Sequence, residues 1–242
     1  MAFKHGKSTD VLLDGTDLSP YLNAADLAVD LDTADTTTFK ATWKTAIAGT
    51  VGAKLDFAGF YDPTVATLPD SIGVDFSLVA GVLTYAPAGA LAIGDRVRLA
   101  SVVSSAYAES SPVGGMVAIK WSAGVSGVVG FGDVLHVLGE DTNTTTGADK
   151  DDTAATSTGW TAHLHVTAVD AGSWVIKLQD AATTDWLDVS GGAFAAKTAA
   201  GAERLRSAAS TTELRRHVRY VATRTGGAGG DGITFFLAYA RN

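Results

Sequence analysis

Short runs in which apolar and polar residues alternate are the dominant pattern along this chain. In residues 96–103, Val97 and Leu99 fall on one side of an extended strand, and two arginines fall on the other. Runs of this length, rich in β-branched or aromatic residues and separated by Gly, Asp, Ser and Thr, are typical of β-strands. The predicted strands cover residues 9–13, 54–61, 96–103, 116–121, 160–169, 174–179, 217–223 and 233–239.

Signals for helices are few. Residues 63–68 and 199–209 could each form a short helix, but Pro69 ends the first and Gly201 weakens the second. Regular short strands separated by such turn-forming residues predict an all-β fold, a sandwich or barrel with at most one or two short helices.

Two polar segments interrupt the strands. Residues 139–158 consist almost wholly of Asp, Thr, Gly, Asn, Ser, Lys and Ala, which predicts a long exposed loop. Residues 225–232 contain five glycines and predict a flexible turn between the last two strands. Because the strands on both sides of 139–158 are alike, we expect one domain over 1–242 with an exposed loop insertion.

The net charge of the chain and its distribution limit the classes of function that the chain can have. The net charge of −8 disfavours direct binding to nucleic-acid phosphates, which requires clustered Lys and Arg. Residues 1–80 have a net charge of −6 and residues 197–224 a net charge of +5. The two segments could attract each other within one molecule or between copies, or they could be ordinary solvated faces.

The amino-acid composition excludes further kinds of site and segment. The chain has no cysteine, which excludes disulfides, zinc–thiolate sites and thiol nucleophiles. Residues 1–7 lack the apolar region of a signal peptide, and no apolar run reaches the length of a membrane span. We therefore expect a protein made in a cytoplasm, without a membrane span.

Motifs for chemistry are weak. Gly6-Lys7-Ser8 lacks the preceding strand and first glycine of a phosphate-binding loop. His163 and His165 would share one face of a strand as a metal pair, but the favoured interpretation is two half-exposed residues. Residues 141–147 lack the ligand pattern of a calcium loop. We expect no catalytic, cofactor or metal site, and a protein that is not an enzyme.

The tryptophans allow two interpretations. Exposed indole rings can stack on sugars, whereas tryptophans within strand-like runs usually pack into a core. Most of the five lie in such runs, so core packing is favoured. They are Trp43, Trp121, Trp160, Trp174 and Trp186.

The first sixty residues contain a more specific succession. A strand and a tight turn at Asp14-Gly15 are followed by an acidic, Thr-rich stretch that ends in Phe39, and then by a strand over 53–62. This succession resembles the N-terminal half of the major tail (tail-tube) proteins of long-tailed, non-contractile bacteriophages. Residues 218–222, a Gly-rich turn and the closing run 235–241 resemble the end of those proteins. The resemblance covers about two-thirds of the chain and departs from the family in lacking a long helix after Asp62.

The resemblance implies a β-sandwich that assembles as hexameric rings. Those rings would stack into the phage tail tube, a negatively lined conduit through which DNA passes without specific binding. The implied partners are other copies of the chain and the tape-measure, tail terminator and distal-tail proteins, in a virion tail made in the host bacterial cytoplasm. Candidate lumen or ring-interface residues are Asp26, Asp30, Asp32, Asp35, Phe39, Arg215, Arg216 and Arg219.

Two alternatives to a tail-tube subunit remain. A carbohydrate-binding β-sandwich would need two or more coplanar exposed aromatic rings, and it would bind sugars as a monomer. A decoration or distal-tail protein would share this composition but form a trimer or a single ring.

Overall fold

The computed structural model describes residues 6–39, 42–62, 80–228 and 230–242, and these are built almost entirely from antiparallel β-strands. The predicted all-β fold class is confirmed. Within these ranges the one helical piece is the 3-10 turn Gly6–Ser8, and no helix is long and apolar enough to span a membrane. The strands are β1 Asp10–Leu13, β2 Thr16–Asp17, β3 Leu22–Asp35, β4 Ala46–Phe60, β5 Gly81–Ala86, β6 Arg96–Ser110, β7 Ala118–Val125, β8 Gly130–Asp141, β9 Thr145–Thr146, β10 Lys150–Asp151, β11 Trp160–Val169, β12 Ser173–Ala181, β13 Leu187–Ala193, β14 Gly201–Arg206, β15 His217–Thr225 and β16 Ile233–Arg241.

All eight predicted strands coincide with observed ones, but the helix considered over 199–209 is wrong. Residues 201–206 form β14, which pairs antiparallel with β11 from Gly201 opposite Val166 to Arg206 opposite Thr161. The local helical tendency of this Ala-rich stretch is overridden because its backbone hydrogen bonds extend an existing sheet. The helix considered over 63–68 lies outside the described residues.

The chain divides into two compact units, each drawn from separated stretches of sequence. Unit 1 consists of Met1–Pro20, Gly81–Ser101 and Val128–Asn242, and unit 2 of Tyr21–Ala80 and Val102–Gly127. The boundary between the units does not fall in residues 139–158. The single domain expected from the sequence stays a prediction.

Unit 1 is organised around β16, which is buried on both faces. The sheet order is β14-β11-β16-β8-β6-β5-β1-β2, and the second sheet has the order β10-β15-β12-β13 with β9 beside β15. One face of β16 places Phe235 and Leu237 in a core with residues of the second sheet. The other face places Phe236 and Ala238 in a core with Leu12 of β1 and with residues of β6 and β8. A strand covered on both faces has a nearly continuous apolar run, as residues 233–240 do.

The segment 139–158 is part of unit 1 and is hydrogen-bonded to its strands. Its short strands β9 and β10 pair with β15. The carboxylate of Asp152 accepts hydrogen bonds from Lys150 Nζ at 2.8 Å, Tyr239 Oη at 2.5 Å and Arg241 Nε at 2.7 Å. Burial acts to raise the pKa of Asp152, but these donors outweigh it and lower that pKa. Most of the segment still lies at the surface.

Unit 2 contains one antiparallel sheet in the order β3-β4-β7-β6, to which β6 contributes its residues from 102 onward. Phe57 of β4 and Trp121 of β7 face each other in register and stack with ring centroids 4.9 Å apart. Trp121 is buried here, and Trp160 and Trp174 are buried in unit 1, so three of the five tryptophans are core residues.

Candidate assembly surface

A two-stranded ribbon projects from the sheet of unit 2. Strand β3 pairs with β4 along nearly its whole length, from Leu22 opposite Gly59 to Asp35 opposite Ala46. Strand β7 pairs with β4 only between Lys54 and Phe60. Residues 29–35 and 46–53 therefore extend beyond β7 as a hairpin, which we call the ribbon. At about 3.4 Å per residue it is roughly 25 Å long.

One face of the β3–β4 pair is apolar from its base into the ribbon. Opposed residues share a face, and alternate residues of a strand return to it. At the base this face contains Leu27 opposite Leu55, which is buried. In the ribbon it contains Val29, Leu31 and, opposite Leu31, Val51, which are 47%, 51% and 63% exposed. The apolar pattern thus continues where the other strands of the sheet have ended.

The opposite face is acidic. By the same alternation, Asp26, Asp30 and Asp32 lie on one side of β3, and all three are exposed. Asp26 stands directly opposite Asp56 of β4, an arrangement of like charges that is unfavourable by itself. The pKa of Asp56 is lowered by a hydrogen bond from Ser122 and by Lys54, whose Nζ lies 2.9 Å from the carboxylate. The ribbon is therefore amphipathic, with an apolar and an acidic face.

The tip of the ribbon carries exposed aromatic side chains. Asp35 accepts a hydrogen bond from the Thr37 N–H at 2.8 Å, and Thr36 N–H donates to the Thr45 carbonyl at 2.8 Å. Hydrogen bonds from Thr37 lower the pKa of Asp35. Beyond this closure Phe39 is fully exposed and Trp43 is mostly exposed. Phe39 and Asp35 thus lie at the end of the ribbon, and Asp35 does not share the face of Asp30 and Asp32.

The outer edge of β3 within the ribbon has no partner strand among the described residues. There, residues 29–35 pair with β4 and with no other described strand. Soluble proteins usually shorten, charge or cover such an edge, because its free N–H and C=O groups pair readily with another chain. An open edge beside a half-exposed apolar face is typical of a surface that another chain covers.

The three candidate arginines lie in unit 1 and have partners there. Arg215 contacts Asp180 and Asp185, each at 2.7 Å, and the contact with Asp180 is the larger cause of its raised pKa. Arg216 forms an ion pair with Asp151. Each of these carboxylates comes from unit 1 itself, not from the acidic residues 26–35.

Arg219 differs from the other two arginines. Its guanidinium donates to Gln179 Oε1 at 3.0 and 2.8 Å and lies 4.0 Å from the centroid of the half-buried Trp186 ring. The structure therefore does not bring the acidic and basic candidate residues together within one described unit. Their role at a lumen or ring interface stays a prediction.

The structure also shows where the remaining candidate motifs of the sequence lie. Residues 6–8 form a 3-10 turn that leads into a strand rather than into the helix of a phosphate-binding loop. His163 and His165 do share one face of β11, but the expectation that they are half-exposed is wrong, because both are fully buried. Across the described ranges, no three His, Cys, Asp or Glu side chains are grouped as a metal site would require.

The sequence contained a signal for β3 that the strand prediction missed. Residues 26–32 alternate strictly, with Leu27, Val29 and Leu31 between Asp26, Ala28, Asp30 and Asp32. A period of two is the strand signal, and it places apolar and acidic residues on opposite faces. The spacing of the aspartates therefore predicts an amphipathic strand.

Comparisons with known proteins give remote structural likenesses. No protein-family model matches the chain, and no curated protein does. The tail of an empty gene transfer agent particle, solved with C6 symmetry, is similar over 53% of this chain and 98% of its own, with 15% identity and a TM-score of 0.44. A chain of the PVC sheath-tube complex of an extracellular contractile injection system is similar over 52% of this chain and 89% of its own, with 11% identity and a TM-score of 0.42. The Dit protein of phage SPP1 is similar over 96% and 98%, with 13% identity and a TM-score of 0.36. All three TM-scores are below 0.5.

Proposed function

We propose that this chain is a structural, non-enzymatic subunit of a phage tail tube that assembles through its β3–β4 ribbon. The observation that carries the proposal is the ribbon itself, about 25 Å of hairpin with one apolar face. A two-stranded hairpin alone is marginally stable in water, so a ribbon of this kind gains stability when another surface covers it. A second copy of the chain, seated on that apolar face, is the occupant we propose.

The edge of β3 within the ribbon supports ring formation. If a strand of a neighbouring copy pairs with that edge, the sheets of adjacent subunits join into one closed barrel. Head-to-tail contacts of this type close into rings, and further contacts between rings stack them into a tube. Six subunits per ring is the number that the resemblance to tail-tube proteins implies.

The acidic face of the ribbon supports a conduit for DNA. If the apolar face packs on the neighbour, then Asp26, Asp30 and Asp32 are left facing away from that contact. We propose that this face lines the lumen, where repeated carboxylates keep DNA phosphates from binding. Tape-measure, tail terminator and distal-tail proteins are the further partners of such a tube.

Electron microscopy of the purified protein tests the proposal. We expect stacked rings or tubes from the unaltered chain and their loss in Leu31→Asp, which places a charge on the apolar face of the ribbon. The matched control is Val128→Asp, at a residue of unit 1 that is 75% exposed, and it should assemble normally. Unchanged thermal unfolding of Leu31→Asp would show that the loss concerns assembly.

The same experiment decides between the alternatives. Isolated trimers or single rings would favour a decoration or distal-tail protein, and they would contradict stacking. A persistent monomer over a wide range of concentration would contradict the proposal altogether and would favour a carbohydrate-binding module.

A further inference from the structure

A small apolar groove lies in unit 1 between β1, β8 and the loop that joins β5 to β6, and its volume is about 230 Å³. Two of its lining residues, Leu91 and Leu138, are 74% and 39% exposed. The buried lining residues are Leu12, Ala90 and Phe236. Pockets for small-molecule ligands usually begin at about 300 Å³, so the size of this groove suits a single large side chain.

Hydrogen bonds of the loop between β5 and β6 hold the groove in shape. The Ala90 N–H donates to the Asp10 carboxylate at 2.7 Å, which fastens the loop to β1. The Leu91 and Ala92 N–H groups donate to the Asp95 carboxylate at 3.0 and 2.8 Å. The backbone of Leu91 is therefore fixed although its side chain is exposed. An incoming side chain finds the groove already formed, which lowers the cost of binding.

The charged residues of the groove are acidic. Asp10 and Asp17 line it, and none of its described lining residues is Lys or Arg. Burial raises the pKa of Asp10 and the negative charge of Asp17 adds to the rise, against the Ala90 N–H, which lowers it. A positive charge beside the two carboxylates would relieve their repulsion. The groove therefore favours an apolar group that carries a cation next to it.

The tip of the ribbon presents this combination. Trp43 is 82% exposed, and Lys44, the next residue, is exposed as well. Neither belongs to the apolar face of Val29, Leu31 and Val51, so the proposed contact through that face leaves the tip unused. Tryptophans seated in pockets are among the side chains that contribute most to protein–protein binding.

We propose that the ribbon tip of one copy docks into the groove of another copy, with the Trp43 ring in the groove and the Lys44 ammonium beside Asp10 and Asp17. This inference rests on the proposed function, because it gives the ribbon of each subunit a binding site on the next one. Since tip and groove are different surfaces, the contact is head-to-tail and can be repeated from copy to copy, as a stack requires.

Engineered cysteines test the contact directly, because the chain has none of its own. Thr42→Cys lies beside Trp43 and Ala92→Cys beside the groove, both at exposed positions outside the groove lining. When the two single variants are mixed with a short bismaleimide, we expect a cross-linked heterodimer, which can form only between copies. The matched control is Thr42→Cys mixed with Val128→Cys, which should stay unlinked. Val128 is 75% exposed and lies at the opposite end of β8 from Leu138.

The outcomes separate this contact from the tube. Equal yields with Ala92→Cys and with Val128→Cys would overturn the proposal. Cross-linking of Thr42→Cys only to itself would mean that two tips bind each other, and it would overturn the proposal as well. Tubes without the tip-to-groove cross-link would remove this contact and leave the apolar face of the ribbon as the assembly surface. Cross-linked pairs without tubes would keep the contact and contradict the tube.

Substitutions at the tip measure the share of each side chain. Trp43→Ala, added to Thr42→Cys, should raise the concentration for half-maximal cross-linking at least about tenfold, because a pocket-bound tryptophan is a typical hot spot. Lys44→Glu should raise it severalfold, while Lys120→Glu, at an exposed lysine elsewhere in unit 2, should leave it unchanged. Trp43 is exposed, so its loss should not prevent folding. An unchanged concentration in Trp43→Ala would overturn the docking.

Discussion

The β11–β16 pair of unit 1 and the β3–β4 pair of unit 2 are both long, antiparallel and hydrogen-bonded, yet their side chains differ in solvent exposure. In β11 and β16 both faces are covered, and even His163 and His165 are fully buried. In the ribbon both faces are exposed, although one of them is apolar. A strand that the fold covers on both faces serves the stability of the subunit, whereas one left half-covered leaves its apolar face for a partner.

The largest expected difference between the two regions concerns stability. Leu164 of β11 is fully buried, so Leu164→Ala should lower the free energy of unfolding by about 3 kcal/mol through lost burial and a cavity. Leu31→Ala in the ribbon should lower it by less than about 0.5 kcal/mol in the unassembled protein, because Leu31 is already half-exposed. Urea unfolding of both variants measures the contrast. Equal losses would mean that the ribbon is part of the core.

The next expected difference concerns acid. The buried histidines of β11 should make the free energy of unfolding of unit 1 decrease at low pH. Burial lowers the pKa of His165 to about 3, and burial with the nearby charges of His165 and Arg204 lowers the pKa of His163 well below 6.5. In the unfolded chain both titrate near 6.5, so the unfolded state binds more protons below that pH. Stability is therefore complete above about pH 6.5 and falls as the pH decreases.

The expected loss of stability in acid is the sum of the contributions of the two histidines. Between pH 7.5 and 5.5 the free energy of unfolding should fall by about 2–3 kcal/mol, at about 1.4 kcal/mol per histidine. Denaturant titrations at the two pH values measure it. In a His163→Gln, His165→Gln double variant the difference should shrink to what the other groups contribute. An undiminished difference would assign the acid sensitivity elsewhere.

The sequence alone predicted the strands of the core better than it predicted the surface that we propose for assembly. The runs at 160–169 and 233–239 are long, apolar and β-branched, and such local signals are sufficient for strands buried on both faces. The local sequence of residues 201–206 does not predict a strand, because their pairing partner, β11, lies about forty residues earlier in the chain. The burial of His163 was not predictable from its neighbours, since it depends on Thr84 from a distant strand.

A smaller effect on assembly should come from the closure of the ribbon tip. In Asp35→Ala the hydrogen bond from the Thr37 N–H is lost, while the apolar face of the ribbon keeps its side chains. We expect tubes to form with at most a few-fold slower growth, measured by light scattering, and a stability change within about 0.5 kcal/mol because the tip is exposed. Complete loss of tubes would assign the tip a larger share of the contact than the apolar face.

The acidic face gives the test with the smallest expected effect on the subunit itself. Asp30 and Asp32 are exposed on the face opposite Leu31, so Asp30→Lys with Asp32→Lys should change the free energy of unfolding by less than about 0.5 kcal/mol. If that face lines a lumen, the reversed charges attract phosphates, and DNA passage should be impaired even where tubes still form. Glu213→Lys, at an exposed carboxylate of unit 1 outside the ribbon, is the control for charge reversal. Infectivity of particles carrying each variant measures the difference: full infectivity of the Asp30/Asp32 variant would remove the acidic face from the conduit while leaving the apolar face as the assembly surface.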